Sequence, residues 1–364
     1  MQIADIGQYL ETLSPLSFQE DYDNCGFLAG DPAWEFQKAL LCLDLTEEVM
    51  KEAVRKQCNL VISHHPFIFK GLKKLIPGRP ETAIITHAIM NRIAVYAIHT
   101  NLDNTLRGLN AYVFSKLGIS QYKILSPRQD QLLKLVTFCP TNHAEKVRDA
   151  LFDAGAGHIG NYDRCSYNLE GDGTFRASAL ANPFVGEKNA LHVERETRIE
   201  VIFPGYLERT IVTALVAAHP YEEVAYDLYP LKNADTRSGA GLIGELEQPM
   251  AQSRFLELVK QILEIPVIRH SAFHASKIKT VALCTGSGSF LIPGAVISGA
   301  DAYLTADLKY HDFFEAGKKM LLADIGHYES EQWVKGWLYD VLIEKFPTFA
   351  FLISEVNTNP VNYF

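Results

Sequence analysis

In the first 128 residues, short apolar runs alternate with segments in which apolar residues recur every three or four positions. Strand-like runs lie at 38–44, 59–63 and 93–99, and helical patterns lie between them at 46–56 and 81–91. Parallel strands need long crossover connections, most often helices, whereas antiparallel strands can be joined by short turns. The alternation therefore predicts a parallel sheet with crossover helices.

Strand-like and helical stretches alternate again after residue 240. They lie at 279–284, 289–299, 302–305, 309–317 and 320–324. We predict an α/β fold in which residues 1–128 and 237–364 are two related halves of one domain with mostly parallel sheets.

The middle of the chain has a different pattern. Strand-like and helical stretches lie at 132–139, 142–154, 164–168, 174–178, 199–203, 206–218 and 224–229. The pattern is typical of a βαββαβ unit, with Gly171-Asp172-Gly173 expected as a break between two strand-like runs. We predict that residues 129–236 form an inserted α+β ferredoxin-like module, because domains of this size are tolerated in surface loops.

Composition limits the classes of function. The 364 residues are 48% hydrophobic, which is enough for the cores of two or three domains. The formal net charge of −9 is spread along the sequence without a basic block. This argues against nucleic acid as a partner, although small anions could still be bound locally.

Six cysteines are scattered without C-x-x-C spacing, which is typical of reduced thiols in a cytoplasmic protein. No stretch has the length or apolar character of a membrane span, and the N-terminus lacks a signal-peptide pattern. We therefore expect a cytoplasmic protein without a membrane partner.

Potential metal ligands follow three of the predicted strands. His64 and His65 come at the end of the run 59–63, and His99 and Asp103 follow the run that ends at Ile98. His327 and Glu331 follow the run 320–324 and lie on one face of a predicted helix, because they are four residues apart. Ligand sites of open α/β sheets lie at the carboxyl ends of strands, so this recurrence predicts a metal site.

Neighbouring side chains of a strand point apart, so His64 and His65 can serve two different ions. Two histidines on one ion, or one on each with a shared carboxylate, would suit Zn, Fe, Mn, Co or Ni. We expect two divalent ions of undetermined identity. A lone histidine at a strand end is more often a hydrogen-bonded structural residue, so the prediction depends on the whole set.

Several motifs resemble a known family over nearly the whole chain. They are Asp23-Asn24-Cys25-Gly26-Phe27-Leu28-Ala29-Gly30-Asp31, Ser63-His64-His65-Pro66, His99-Thr100-Asn101-Leu102-Asp103, Gly299-Ala300-Asp301-Ala302-Tyr303 and Gly326-His327-Tyr328-Glu329-Ser330-Glu331. The sequence resembles the NGG-one-interacting-factor-three family, whose bacterial members are known as type 2 homologues of GTP cyclohydrolase 1. Its long members carry an inserted module.

The resemblance implies which residues hold each of two metal ions. It implies that His65 and Asp103 hold one ion, that His64 and His327 hold the other, and that Glu331 bridges both. It further implies a ring-shaped homohexamer with the metal sites facing an internal cavity.

Two adjacent ions can polarise a substrate oxygen and activate water at neutral pH, so hydrolysis is the expected reaction. His99 and His311 are left over as imidazoles that could transfer a proton, or could only support the ligands. Two further motifs have a structural alternative. The turn 285–289 could bind phosphate or simply pack tightly, and His219-Pro220-Tyr221-Glu222-Glu223 is predicted to be a structural or regulatory turn.

Two functions from different classes fit these observations. The first is a metal-dependent, cyclohydrolase-like hydrolase with Glu331 in the reaction centre, acting on a small molecule such as a nucleotide or related heterocycle. The alternative is a non-enzymatic metal-binding scaffold or regulator whose inserted module senses a ligand.

Overall fold

The computed structural model describes residues 1–76, 78–274 and 277–364. They form two compact units. The first consists of residues 1–127 together with 237–364, and the second consists of residues 128–236.

The elements are numbered in chain order. The helices of the described residues are α1 (Ile3–Leu13), α2 (Glu47–Arg55), α3 (Pro80–Met90), α4 (Thr100–Asp103), α5 (Leu109–Lys116), α6 (Ala144–Asp153), α7 (Glu208–Ala218), α8 (Gln252–Ile262), α9 (Ile292–Ile297), α10 (Asp312–Glu315), α11 (His327–Glu331) and α12 (Val334–Lys345). The strands are β1 (Gly26–Ala29), β2 (Lys38–Cys42), β3 (Leu60–Ser63), β4 (Ala94–Ala97), β5 (Tyr122–Arg128), β6 (Leu132–Pro140), β7 (Tyr167–Arg176), β8 (Leu191–Pro204), β9 (Tyr226–Leu231), β10 (Asp235–Met250), β11 (Arg269–His270), β12 (Ile278–Ser287), β13 (Ala302–Ala306), β14 (Leu321–Asp324) and β15 (Ala350–Ile353).

The first unit contains two sheets. One has the order β1-β4-β3-β2-β15, in which all neighbours are parallel except β1 and β4. The other has the order β11-β14-β13-β12-β10-β5, with β12, β13 and β14 parallel. The predicted α/β class with mostly parallel sheets is confirmed.

The central strands are apolar because both faces of their sheet are covered. In β3, Leu60 and Ile62 pack into one hydrophobic cluster, whereas Val61 packs into another on the opposite side. The three side chains are at most 1% exposed. Helix α2, whose Thr46 cap accepts a hydrogen bond from the Val49 N–H, contributes Val49 and Met50 to the second cluster. These packed elements fix the strand ends where the candidate ligands lie.

The second unit has the element order βαββαβ of a ferredoxin-like fold, and its antiparallel sheet has the strand order β7-β8-β6-β9. The expected break at Gly171-Asp172-Gly173 is wrong, since these residues lie in the middle of β7. A Cβ atom built on Gly173 would collide with the carboxylate of Glu196, so glycine here makes room for a side chain of β8.

Within the described residues, we find no helix both long enough and apolar enough to cross a bilayer. The six cysteines are free thiols, and Cys42, Cys58, Cys139 and Cys284 are buried.

Candidate metal centre

The candidate ligands lie at the carboxyl ends of three strands of the first unit. His64 and His65 directly follow β3, Asp103 ends the short helix α4 after β4, and His327 and Glu331 begin and end α11 after β14. Each side chain is therefore attached to an element whose position is fixed by the core. The three ends converge, as expected for a site in an open α/β sheet.

Glu331 lies at the centre of the cluster. His65 Nε2 is 2.9 Å and His327 Nε2 is 3.0 Å from the same atom, Glu331 Oε2. Ligand atoms of these three residues lie within 4.8 Å of one another and could hold a metal ion.

A second group forms around the other oxygen of Glu331. His64 Nε2 lies 3.7 Å from Asp103 Oδ1 and 4.0 Å from Glu331 Oε1. Both His64 Nε2 and Asp103 Oδ1 are buried without a hydrogen-bond partner among the described residues. Buried polar atoms are rarely left unpaired, so an unpaired nitrogen facing an unpaired oxygen fits a cation between them.

These distances group the histidines differently from the resemblance. The resemblance placed His65 with Asp103 and His64 with His327, whereas the structure places His65 with His327 and His64 with Asp103. The reason is the bend after β3, which directs His65 towards α11 and the buried His64 ring towards α4. Glu331 remains the residue that both groups share.

Each imidazole of the cluster is held by its other ring nitrogen. The Nδ1 atoms of His65 and His327 each lie 2.7 Å from a carboxylate, that of Asp44 and that of Asp307, respectively. His64 Nδ1 lies 2.7 Å from the Ile98 carbonyl oxygen. An Nδ1–H that donates to these acceptors leaves Nε2 available, which is the usual arrangement of metal-binding histidines.

Asp44 and Asp307 are functional candidates that the sequence analysis missed. Both follow strands of the same two sheets, Asp44 after β2 and Asp307 after β13. Their position at carboxyl strand ends was the pattern that could have indicated them.

The protonation equilibria of the cluster concentrate negative charge on Glu331. Burial would raise the pKa of Glu331, but hydrogen bonds from His327 and His65 hold it well below its usual range. Against the effect of burial, contacts with carboxylates raise the pKa of His65 to about 9 and that of His327 to about 11. Protons and metal ions compete for such nitrogens, so metal binding here would release protons.

In the group of His64 and Asp103, the pKa shifts favour the neutral forms of both side chains. Burial lowers the pKa of His64 to about 3, and burial together with the Glu331 charge raises the pKa of Asp103 well above its usual range. Both shifts disfavour charge on this pair in the absence of a cation.

The two histidines proposed for proton transfer, His99 and His311, lie in different environments. His99 lies in the cluster, since its ligand atom is within 4.8 Å of those of His64 and His65. Its Nδ1 is 2.9 Å from Asp23 Oδ1, and Asp23 also accepts a hydrogen bond from the Thr100 N–H. His311, by contrast, is exposed beside the rings of Tyr310 and Phe314 and does not line the cavity at the cluster.

The turn 285–289 packs against the cluster. The Thr285 N–H donates to Asn110 Oδ1 and the Gly286 N–H donates to Ser330 Oγ, so these two groups are used within the fold. Gly286 has φ +65°, and a Cβ atom on it would collide with Glu331 Oε1. The tight-packing interpretation of this turn therefore fits better than phosphate binding.

The cluster opens into a cavity of about 500 Å³ in the first unit. Its wall includes the aromatic side chains Tyr22, Phe67, Phe69 and Phe290. Its polar lining includes the carboxyl groups of Glu20, Asp44, Asp103 and Glu331 and the imidazoles of His65, His99 and His327, with no lysine or arginine among the described lining residues. The cavity thus combines a floor of imidazoles and carboxyl groups with flat apolar walls.

Comparison with known proteins places this geometry in a family context. The family model described as Duf34/NIF3 (NGG1p interacting factor 3) matches residues 1–360. A protein of Bacillus subtilis (strain 168) named "GTP cyclohydrolase 1 type 2 homolog" is 36% identical over 361 residues, covering 98% of this chain and 97% of its own. A Halalkalibacterium halodurans protein of the same name is 37% identical over 371 residues, with 100% of both chains covered.

Two solved structures match the fold of this chain over its full length. A Bacillus cereus protein related to NIF3 has a TM-score of 0.85 and 36% identity, covering 100% of this chain and 99% of that one. Staphylococcus aureus protein SA1388 has a TM-score of 0.78 and 30% identity with the same coverage. The chain therefore belongs to the Duf34/NIF3 family.

Proposed function

We propose that the protein binds two divalent metal ions and is a metal-dependent hydrolase of a nucleotide or related heterocycle. The observation that carries the proposal is the position of Glu331, whose two carboxylate oxygens face two separate groups of ligands. A carboxylate placed in this way can bridge two ions.

In this proposal His65 and His327 would hold one ion, His64 and Asp103 would hold the other, and Glu331 would serve both. The donors are imidazole nitrogens and carboxylate oxygens, a set suited to Zn, Fe, Mn, Co or Ni. Ions held by such residues supply Lewis-acid chemistry and make a water nucleophile available at neutral pH.

The protein's own residues supply the other parts of the reaction. In this proposal His99, oriented by Asp23, moves a proton at Nε2, because its Nδ1 is hydrogen-bonded to the Asp23 carboxylate. The aromatic residues of the cavity wall would stack on a planar ring and exclude water from it. A heterocycle is therefore the substrate that this cavity fits best, and the name shared by the relatives is consistent with a nucleotide.

A non-enzymatic scaffold is the second candidate. The observation that favours it is a separate cavity of about 470 Å³ within the second unit, lined by Phe175, Phe184 and Tyr221 among others. A ligand bound there would make this unit a sensor. We also propose a cytoplasmic homohexamer, an assembly suggested by the resemblance and testable by native mass spectrometry.

One experiment tests both candidates. Freshly purified protein is analysed for metals and then incubated with a nucleotide and metabolite panel, before and after chelation. The hydrolase proposal expects about two ions per chain, consistent with two ligand groups, and turnover that disappears with the metal and in Glu331→Gln. Glu329→Gln, on the same helix but bonded to Asn359 and Tyr363, is the matched control. Turnover by the metal-free protein would overturn the proposal, and stable metal loading without turnover would favour the scaffold.

A further inference from the structure

A basic cavity adjoins the candidate metal centre. It has a volume of about 550 Å³ and is lined by Phe67, Phe69, Lys70, Lys73, Lys74 and Arg79, among others. The four cationic residues are exposed and fall within ten positions of the chain. This concentration of positive charge contrasts with the net charge of −9 of the whole chain, and it does not form a continuous basic block in the sequence because glycine, proline and apolar residues lie between its members.

The four cations are not neutralised by the protein. Glu81 is the one carboxylate among the described lining residues, and no ion pair joins it to Lys70, Lys73, Lys74 or Arg79. The metal cavity, by contrast, is lined by imidazoles and carboxyl groups, with no lysine or arginine among its described lining residues. Phosphate groups that extend out of the metal cavity would be attracted by the four neighbouring cationic residues.

Two aromatic side chains connect the cavities. Phe67 and Phe69 line both of them, and the Phe69 ring lies edge-on to the His99 ring with centroids 5.8 Å apart. The backbone between them is held by Asn24, whose Nδ2 donates to the Ile68 carbonyl oxygen at 2.7 Å. The two cavities are therefore neighbours that share an aromatic wall, and a ligand that occupies both would extend past Phe69.

We propose that this basic cavity binds the phosphate groups of a substrate whose planar ring lies in the metal cavity. The inference rests on the proposed function and narrows its substrate to a phosphorylated aromatic compound of the mononucleotide class. Lys73 and Lys74 lie between Lys70 and Arg79 in the chain and, in this proposal, bind the phosphate oxygens by charge-assisted hydrogen bonds. The turn 285–289 is not needed for this role, because its first N–H groups are used within the fold.

Calorimetric titration of the metal-loaded full chain with guanosine, guanosine monophosphate and guanosine triphosphate tests this subsite. The wild type should bind the triphosphate at least about tenfold more tightly than the nucleoside, and 0.5 M salt should reduce this preference. In Lys73→Ala/Lys74→Ala the preference should fall to about twofold or less, whereas Lys73→Arg/Lys74→Arg should retain it.

Lys318→Ala/Lys319→Ala is the matched control, since it removes the same charge from an exposed lysine pair elsewhere in the first unit. It should keep the preference. Inorganic tripolyphosphate should compete with the triphosphate in the wild type and more weakly in Lys73→Ala/Lys74→Ala.

An unchanged preference in Lys73→Ala/Lys74→Ala would overturn the subsite, and so would equal binding of nucleoside and triphosphate by the wild type. Tighter binding of a single-stranded RNA oligomer than of the mononucleotide would also overturn it. Failure of the hydrolase proposal is separate, because it is measured as missing metal or missing turnover, whereas the subsite is measured as a binding preference.

Discussion

His64 Nε2 and Asp103 Oδ1 face each other across 3.7 Å in the buried centre of the first unit, and neither has a hydrogen-bond partner among the described residues. This separation is too long for a hydrogen bond but leaves room for a shared cation. The two atoms therefore contribute little to the fold by themselves.

Asp103→Asn should remove one of two bound metal ions without unfolding the protein. Because Asp103 Oδ1 makes no hydrogen bond that the substitution would break, the free energy of unfolding of the metal-free protein should change by less than about 1 kcal/mol. Elemental analysis and denaturant unfolding of chelated protein measure the two effects. Retention of both ions would show that Asp103 is not a ligand.

Gly286→Ala should disturb the metal centre through Glu331. The new Cβ would collide with Glu331 Oε1, and the left-handed backbone at φ +65° disfavours alanine. We expect a loss of about 1–3 kcal/mol in the free energy of unfolding and loss of bound metal. Gly294→Ala in α9 is the control, because a Cβ there meets nothing within 4 Å. Normal metal content in Gly286→Ala would contradict the role given to Glu331.

Thr358 supports the metal centre from the C-terminal segment. Its hydroxyl donates to Asp44 Oδ2 at 2.6 Å, and Asp44 Oδ1 accepts from His65 Nδ1. Thr358→Val should weaken the binding of one ion about tenfold by loosening His65, whereas Thr358→Ser should not. Competition with a coloured chelator measures both affinities. Equal affinities in the valine and serine variants would mean that Thr358 does not position His65.

His219 should make the second unit less stable in acid. Its Nε2–H donates to the Phe138 carbonyl oxygen and its Nδ1 accepts the Tyr221 N–H, so the folded state needs the neutral ring. Burial lowers the pKa of His219, an effect opposed by Glu196 and reinforced by His143. The unfolded chain then binds the extra proton first, so this contribution is complete above about pH 6.5 and decreases as the pH falls from there to the folded pKa.

Hydrogen exchange of α7 amides at pH 7.5 and 5.5, corrected for intrinsic rates, measures this effect. Protection of the α7 amides from exchange should be lower at pH 5.5 than at pH 7.5, and this difference should be smaller in His219→Gln. A pH dependence that is equal in both proteins would assign the effect to other groups.

The strand ends of the metal centre could be predicted from sequence because local patterns determine them. The apolar run of β3 and the polar pair His64-His65 are visible in the sequence, and the core fixes where the run ends. Which histidine joins which carboxylate could not be predicted, because that depends on how the chain bends after β3 and on the position of α11.

Other differences between the sequence-based expectations and the structure also arise from contacts between distant residues. The glycines of β7 resemble a turn, but Gly173 lies in a strand because Glu196 of the next strand occupies the space beside it. His311 follows β13 in the sequence, yet the helical stretch expected at 309–317 forms only over Asp312–Glu315 and leaves His311 exposed. Asp44 and Asp307 follow strands, but their contacts with His65 and His327 depend on residues distant in the chain, so the strand-end pattern alone did not single them out.

A crystal structure of the metal-loaded protein, with anomalous difference maps collected at the metal edge, tests the central claim most directly. We predict two peaks about 3.5–4 Å apart. One should contact His65, His327 and Glu331, and the other should contact His64, Asp103 and Glu331. A single peak would contradict this account, and so would a peak that contacts both His64 and His327.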